Sequence, residues 1–298
     1  MARDRRVLVT GLSGFTGRHL ARELATAGFE VFGIGAHSDG DTNYYQVDLS
    51  DRARLREVLR EIAPDYVVHL AAIAFVAHGN ANAFYDVNVV GTRNLLEAIS
   101  DAGVPLRAVL LASSANVYGN AVGGMLSEDT PPNPANDYAV SKLAMEYMAR
   151  LWLPRIPIVI ARPFNYTGVG QSADFLLPKI VTHFRSRAQR IELGNLDVWR
   201  DFSDVRSVAR AYRRLLECEP VGAVVNVCSG SLYSLRDVIG LAETLSGHKI
   251  EVVVNPAFVR ANEVQRLCGN AARLRQIIGD WSSLPLTETL QWMLESNQ

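Results

Sequence analysis

Tyr138 and Lys142, in the run Tyr-Ala-Val-Ser-Lys, are four residues apart and so fall on one face of a helix. That spacing suits proton transfer. A free phenol has a pKa near ~10 and releases its proton poorly at neutral pH, whereas an ammonium held nearby favours the phenolate. Ser114, on the segment after the apolar run Arg107–Ser113, adds a hydroxyl able to steady an oxygen that gains or loses a proton. Alone, a Tyr-x-x-x-Lys pair is usually a surface feature. Here it lies downstream of Gly11-Leu-Ser-Gly14-Phe-Thr-Gly17, which directly follows the first apolar run and opens the first helix, the setting a dinucleotide fingerprint requires. Glycine permits the tight turn and lets backbone N–H groups approach a pyrophosphate, and the helix N-terminus adds partial positive charge. Gly11, Gly14, Phe15, Thr16 and Gly17 are the candidate cofactor contacts in this loop, and with a dinucleotide bound Lys142 can also hold its nicotinamide ribose. The alternative is a glycine-rich strand-to-helix turn with no ligand.

The sequence is less decided about which nicotinamide cofactor is bound. A strict NAD site places Asp or Glu roughly 20 residues beyond the loop to hold the ribose 2′-hydroxyl. That stretch reads Gly35-Ala36-His37-Ser38, so Asp39 or Asp41 would have to reach back. No arginine stands there to grip a 2′-phosphate, although Arg18 at the helix start could lean toward one. The balance tips slightly to NADPH over NADH. Asp48 and Leu49 end the third apolar stretch; either they lie beside the adenine or Asp48 is a cap ahead of Ser50.

To place these residues, short apolar runs alternate with helix-length amphipathic stretches. Val7–Thr10, Glu30–Ile34, Tyr66–Leu70, Arg107–Ser113 and Ile156–Arg162 read as strands; Arg18–Ala27, Asp51–Ala63, Phe84–Ala102 and Tyr138–Leu153 read as helices. The alternation predicts βαβ units and a doubly wound, Rossmann-type parallel sheet. After Arg162 the rhythm loosens into turns and isolated helices over Asp174–Arg187, Val205–Glu217, Ser234–Leu245 and Thr287–Ser296. Val224–Cys228 is a compact β-branched run, expected to return to the main sheet. The expected division is a dinucleotide-binding domain over 1–165, rejoined by 204–228, and a smaller interleaved lobe over 166–203 and 229–298.

Thirty basic residues against thirty-one acidic give a net charge of -1, so no broad basic field is available for a nucleic-acid backbone. No apolar run reaches the ~18 residues of a membrane span, and a cytoplasmic protein is expected. Cys218, Cys228 and Cys268 lack CxxC spacing and the six histidines are scattered, which argues against a disulfide framework and a metal site.

Taken with His69-Leu-Ala-Ala72, Asn88-Val-Val-Gly-Thr92, Ser113-Ser-Ala-Asn-Val-Tyr-Gly119 and Arg162-Pro-Phe-Asn165, the chain resembles the extended short-chain dehydrogenase/reductase family over nearly its whole length. The resemblance implies Ser114, Tyr138 and Lys142 as the catalytic group, Leu70, Ala71 and Ala72 along the cofactor, and Pro163 near the nicotinamide. The family's sugar-nucleotide 4,6-dehydratases carry a glutamate base where this chain has Asn116; an amide cannot remove a C5 proton, so the resemblance argues against dehydration and leaves hydride transfer at C4. In the second lobe, Gly194-Asn-Leu-Asp-Val-Trp-Arg-Asp-Phe202 and Asn226-Val-Cys-Ser-Gly230 are similar to the GDP-4-keto-6-deoxy-D-mannose reductases, with GDP-mannose 4,6-dehydratases near relatives. That likeness implies a nucleotide-sugar lobe in which Asn165, Lys179, Arg200, Arg260 and Glu263, with Ser114 and Asn116, line the substrate. Arginines suit a diphosphate through forked hydrogen bonding; Arg260 and Glu263 could equally be a surface ion pair, and His78 a ligand or a solvated loop residue.

The activity implied is reduction of the 4-keto group of GDP-4-dehydro-6-deoxy-D-mannose to GDP-D-rhamnose or its C4 epimer GDP-6-deoxy-D-talose. A nucleotide-sugar 4-epimerase is the alternative, with a 4,6-dehydratase or a non-catalytic redox-sensing protein further off. The resemblance also implies a homodimer through Phe84–Ala102 and Tyr138–Leu153, where Leu95, Leu96, Met145 and Met148 are either interface or core.

Overall fold

Val7–Val9, Tyr66–Val68 and Ala108–Leu111 are buried at every residue, the pattern of strands covered on both faces. In the computed structural model, which describes residues 5–37, 40, 42–74, 79–120, 124–259 and 264–296, they form the middle of a seven-stranded sheet. In chain order the first part comprises β1 (Arg5–Thr10), α1 (Phe15–Thr26), β2 (Phe29–Gly35), β3 (Tyr44–Gln46), α2 (Arg52–Ile62), β4 (Tyr66–His69), α3 (Ala81–Tyr85), α4 (Thr92–Ala102), β5 (Ala108–Ala112), α5 (Asp137–Arg150) and β6 (Ile158–Pro163). There follow β7 (Asn165–Thr167), α6 (Leu176–Arg185), β8 (Arg190–Leu193), β9 (Trp199–Asp204), α7 (Val205–Cys218), β10 (Val224–Val227) and β11 (Leu232–Ser234). The chain ends with α8 (Leu235–Ser246), β12 (Glu251–Val254), β13 (Arg266–Leu267), α9 (Ala272–Ile278) and α10 (Leu286–Glu295).

The sheet order is β10-β6-β5-β4-β1-β2-β3, with every pairing parallel: the doubly wound, Rossmann-type α/β fold. Alternate residues of each strand feed opposite cores. Val7, Val9, Val68 and Leu110 pack with Leu20, Leu24, Val208 and Leu274 beneath α1, α7 and α9. Leu8, Val67, Val109 and Leu111 pack with Leu55, Leu59 and Leu96 beneath α2 and α4, and with Met145 of α5. Burial of each such side chain contributes ~1.5–3 kcal/mol. A third core, built on Ile180, Phe184, Val238 and Leu290, joins α6, α8 and α10. Chain excursions after β6 end when β10 pairs with it, Asn226 opposite Arg162.

Two details depart from the sequence expectation, and a third decides between alternatives that the sequence left open. The helix expected over Phe84–Ala102 is interrupted by a π-helical stretch, Asp86–Gly91. Within it Asn88 is buried, accepting from Ile73 N–H (3.0 Å) and donating to Ile73 O (3.2 Å) and Ser141 Oγ (3.0 Å); π-bulges often serve to aim a side chain in this way. Second, the region after Arg162 contains short strands: β9 pairs with β7, β11 and β13, and β8 with β12. Strands of two to six residues are too short to show a period-two hydrophobic signal, and β9, with Arg200, Asp201, Ser203 and Asp204, is also polar. Third, Leu95, Leu96 and Met145 are core, and Met148 packs against the same cluster. The apolar side chains exposed beside α4 and α5 are Val90, Val140, Tyr147 and Leu151. Among the described residues, no helix is long and apolar enough to cross a membrane.

Candidate active site

The strand order reverses between β1 and β4, and in such sheets ligands bind in the crevice at the C-terminal ends there. Thr10 pairs with His69, so the glycine loop and Leu70–Ala72 leave the sheet side by side. Gly11 has φ +72°, and a Cβ on it would lie 3.0 Å from Ala71 N. At Gly17 a Cβ would lie 2.4 Å from both Gly11 O and Leu12 O. Gly14 caps α1 without a side chain, and the first turn holds no acidic residue, which leaves the positive helix end to an external anion. Thr16 Oγ1 is 2.8 Å from the Tyr166 hydroxyl, and Phe15 stacks on that ring. A wall made of backbone, closed to any Cβ and electropositive at its floor, fits the pyrophosphate of a dinucleotide.

Hydrogen bonding fixes the His69 tautomer. Thr10 Oγ1 accepts from Leu70 N–H (3.2 Å) and Ala71 N–H (3.1 Å), so it donates to His69 Nδ1 at 2.7 Å. Thr92 Oγ1 donates to Asn88 O at 2.8 Å, so it accepts from His69 Nε2–H at 2.9 Å. The ring is neutral and supports the segment beside the glycine loop. Burial, reinforced by the Lys142 ammonium, pushes its pKa down to about 3.

Ser114 follows β5 and caps the 3-10 turn Ala115–Tyr118, its Oγ accepting from Asn116 N–H at 3.2 Å. Tyr138 and Lys142 stand one turn apart on α5, both buried; Asn136 caps that helix by accepting from Ala139 N–H at 2.9 Å. Burial drives the Tyr138 phenol up to about 12, the Ser114 hydroxyl beside it pulls the other way, and Tyr166 adds to the rise. The sequence points to Lys142 as the group that eases the phenol's ionisation. In the structure Lys142 Nζ donates instead to Ala112 O at 2.8 Å, and Ser114 is the group that opposes burial. Lys142 is itself lowered from 10.5 to about 8 by burial, with the Glu146 carboxylate resisting.

The remaining sequence candidates are spread more widely. Asp48 is not the helix cap that the sequence offered as its alternative role: Asp51 caps α2 by accepting from Arg54 N–H at 3.0 Å, while the Asp48 carboxylate accepts from Ser50 N–H at 2.8 Å in a local turn, which holds it below the usual carboxylate range. Leu49 is the side chain facing Gly91, and Pro163 ends β6 opposite Val227. Asn165 pairs with Phe202, which puts it beside the strand carrying Arg200; Arg200 Nη1 donates to Trp199 O at 3.0 Å. Lys179 Nζ donates to Glu192 O at 2.8 Å and sits over the Phe258 ring. Ser38, Asp39, Asp41, His78, Arg260 and Glu263 lie outside the described residues. Sequence reasoning passed over Tyr166, a half-buried tyrosine whose phenol is raised by desolvation against a Thr16 hydrogen bond; its one signal is its place directly after Arg162-Pro-Phe-Asn165.

A profile of the "NAD dependent epimerase/dehydratase family" matches residues 7–228. GDP-6-deoxy-D-talose 4-dehydrogenase of Aggregatibacter actinomycetemcomitans is 37% identical over 276 residues, 92% of each chain. GDP-6-deoxy-D-mannose reductase of Pseudomonas aeruginosa is 35% identical over 300 residues, 97% of this chain and 96% of the relative. The structure of RMD from Pseudomonas aeruginosa complexed with NADPH superposes with a TM-score of 0.86 at 34% identity, covering 97% of this chain and 98% of that one. On a profile that spans most of its length and relatives that match from end to end, this chain belongs to the NAD dependent epimerase/dehydratase family.

Proposed function

We propose that this protein reduces the 4-keto group of GDP-4-dehydro-6-deoxy-D-mannose, giving GDP-D-rhamnose or GDP-6-deoxy-D-talose according to the face attacked. The observation that carries the reading is the grouping of Ser114, Tyr138 and Lys142 at the C-terminal end of the sheet, where the glycine loop also leaves β1. The names of the two relatives, both at 35% identity or above, favour a GDP-linked 6-deoxy sugar. The division of labour that follows is a cofactor domain over 1–165 with 204–228, and a sugar-nucleotide lobe over 166–203 and 229–298.

A reduced nicotinamide, NADPH by preference, supplies the hydride when bound. Tyr138, its phenol raised to about 12, is protonated at neutral pH and donates to the sugar O4. Ser114 holds that oxygen, and with Lys142 one turn away it stabilises the phenolate left behind. Lys142 also holds the nicotinamide ribose. Gly11, Gly14, Phe15, Thr16 and Gly17 seat the pyrophosphate, Asp48 and Leu49 border the adenosine, and Leu70–Ala72 and Pro163 flank the nicotinamide side. Asn165, Lys179 and Arg200 are the candidate contacts to the nucleotide sugar within the described residues, and the resemblance adds Arg260 and Glu263. Asn116, neutral and half-buried, provides no base for C5, which separates reduction from dehydration.

The protein works in the cytoplasm as a homodimer, in which Val90, Val140, Tyr147 and Leu151 are covered by a second copy. Mixing the purified protein with the 4-keto sugar nucleotide and NADPH tests the activity. Stoichiometric loss of NADPH is expected; a 4-epimerase, which draws its hydride from the C4 alcohol and returns it, would instead interconvert the two C4 epimers of the reduced sugar nucleotide with no net change in cofactor, so the reduced product is incubated separately with the protein and oxidised cofactor as the control.

A further inference from the structure

Glu146 lies on α5 one turn beyond Lys142 and is almost wholly inaccessible, as is Arg162. Its Oε1 accepts from Ser113 Oγ at 2.5 Å and Arg162 Nε at 2.9 Å, and its Oε2 from Arg162 Nη2 at 2.7 Å. Arg162 Nη1 continues the chain of bonds to the Tyr118 hydroxyl at 2.9 Å, and that hydroxyl donates to Asn226 Oδ1 at 2.8 Å. The network therefore crosses α5, β5, β6 and β10 and ends at both limits of the 3-10 turn that Ser114 opens.

Buried ion pairs of this kind often add little net stability compared with apolar side chains of the same volume. What they fix is geometry, because each partner left alone is an uncompensated buried charge. Ser113 is the residue next to Ser114, and Lys142 anchors on the preceding carbonyl, Ala112 O. The carboxylate thus clamps the end of β5 to the helix that carries Tyr138 and Lys142.

We propose that Glu146 is the positioning residue of this site: its carboxylate holds the Ser114 strand end and the Tyr138–Lys142 helix in register. The proposal rests on the catalytic reading above. Glu146 also acts by charge. Facing Lys142 from β4, His69 is neutral, and Tyr138, one turn back on α5, is uncharged. Arg162 on β6 lies across Glu146 from Lys142, while Asp86 and Arg93 are exposed. Glu146 is the anion that offsets burial of the Lys142 ammonium.

The chain has three lysines, Lys142, Lys179 and Lys249, so labelling lysine with carbon-13 at Cε gives three NMR signals, and Lys142→Met identifies one. In the cofactor-free protein, Glu146→Gln should move the Lys142 titration down by about one pH unit or more. At a pH where Lys142 remains protonated, kcat should fall at least ~30-fold with KM for cofactor and sugar nucleotide within ~3-fold, because Glu146 touches neither. Glu146→Gln leaves the Arg162 charge unpaired and can fail to fold; Glu146→Gln/Arg162→Gln removes both charges. The double variant should regain thermal stability without regaining kcat, its Lys142 still titrating low. A double variant with wild-type kcat, or an unmoved Lys142 titration in the variants, overturns the proposal. If the wild-type protein reduces no keto sugar, the catalytic reading fails on its own, and the Lys142 titration still decides the role of Glu146.

Discussion

Lys142→Met should make the protein more stable at neutral pH while weakening its cofactor binding. The Lys142 pKa is lowered from 10.5 to about 8, so the folded state releases its proton before the unfolded state does. Between those two values the unfolded chain binds more protons, and stability rises with pH; it is lost again as pH falls through 8. At ~1.36 kcal/mol per pH unit, carrying the buried charge costs the folded state ~3 kcal/mol at pH 7. Methionine keeps most of the aliphatic stem but removes the donor to Ala112 O, which costs ~1 kcal/mol. The net gain is ~2 kcal/mol, and with an unfolding entropy of ~2.1 cal/mol/K per residue this raises Tm by ~3 °C in a chain of this length. Above pH 10.5 the gain should vanish and become a small loss. Urea titrations of both proteins at neutral and alkaline pH measure it. A variant no more stable than wild type at pH 7, or a difference that does not change with pH, refutes the reasoning.

Tyr138→Phe should lower kcat by ~10²–10⁴-fold and leave cofactor affinity within ~3-fold, since only the phenolic oxygen is lost; more than ~10% residual kcat contradicts a proton-donor role. Gly17→Ala should abolish nicotinamide binding measured by calorimetry, because its Cβ would lie 2.4 Å from two loop carbonyl oxygens; unchanged affinity would show the loop does not seat the cofactor. Replacing both Tyr147 and Leu151 with Glu should give a monomer by light scattering at micromolar concentration, and a persistent dimer would place the interface elsewhere. Wild-type protein given GDP-D-mannose and oxidised cofactor should yield no 4-keto-6-deoxy product; substantial dehydration would show that a residue other than Asn116 serves as the base.

The doubly wound sheet was legible because its strands are continuous apolar runs and its helices carry a 3.6-residue stripe, as at Leu55, Val58, Leu59 and Ile62. The glycine loop, Ser114, Tyr138 and Lys142 were legible because their chemistry depends on local spacing. What escaped depends on contacts distant in sequence. Glu146 reads as one more charged residue on a helix until Ser113 and Arg162 close around it. The π-helical stretch at Asn88 has the apolar pattern of an ordinary helix, and its register follows from the Ile73 and Ser141 bonds. The strands β7 to β9 and β11 to β13 are two to six residues long, and pairing rather than hydrophobic period defines them.

Hydride delivery to C4 of a GDP-linked 4-keto-6-deoxy sugar is the step on which the proposed activity rests. NMR of the product formed with NADPH deuterated at the transferring position of its nicotinamide tests it most directly. Deuterium is expected at C4 of a 6-deoxyhexose, with the ring couplings identifying the rhamno or talo epimer. A product with hydrogen at C4, or with deuterium at C6 instead, would contradict it.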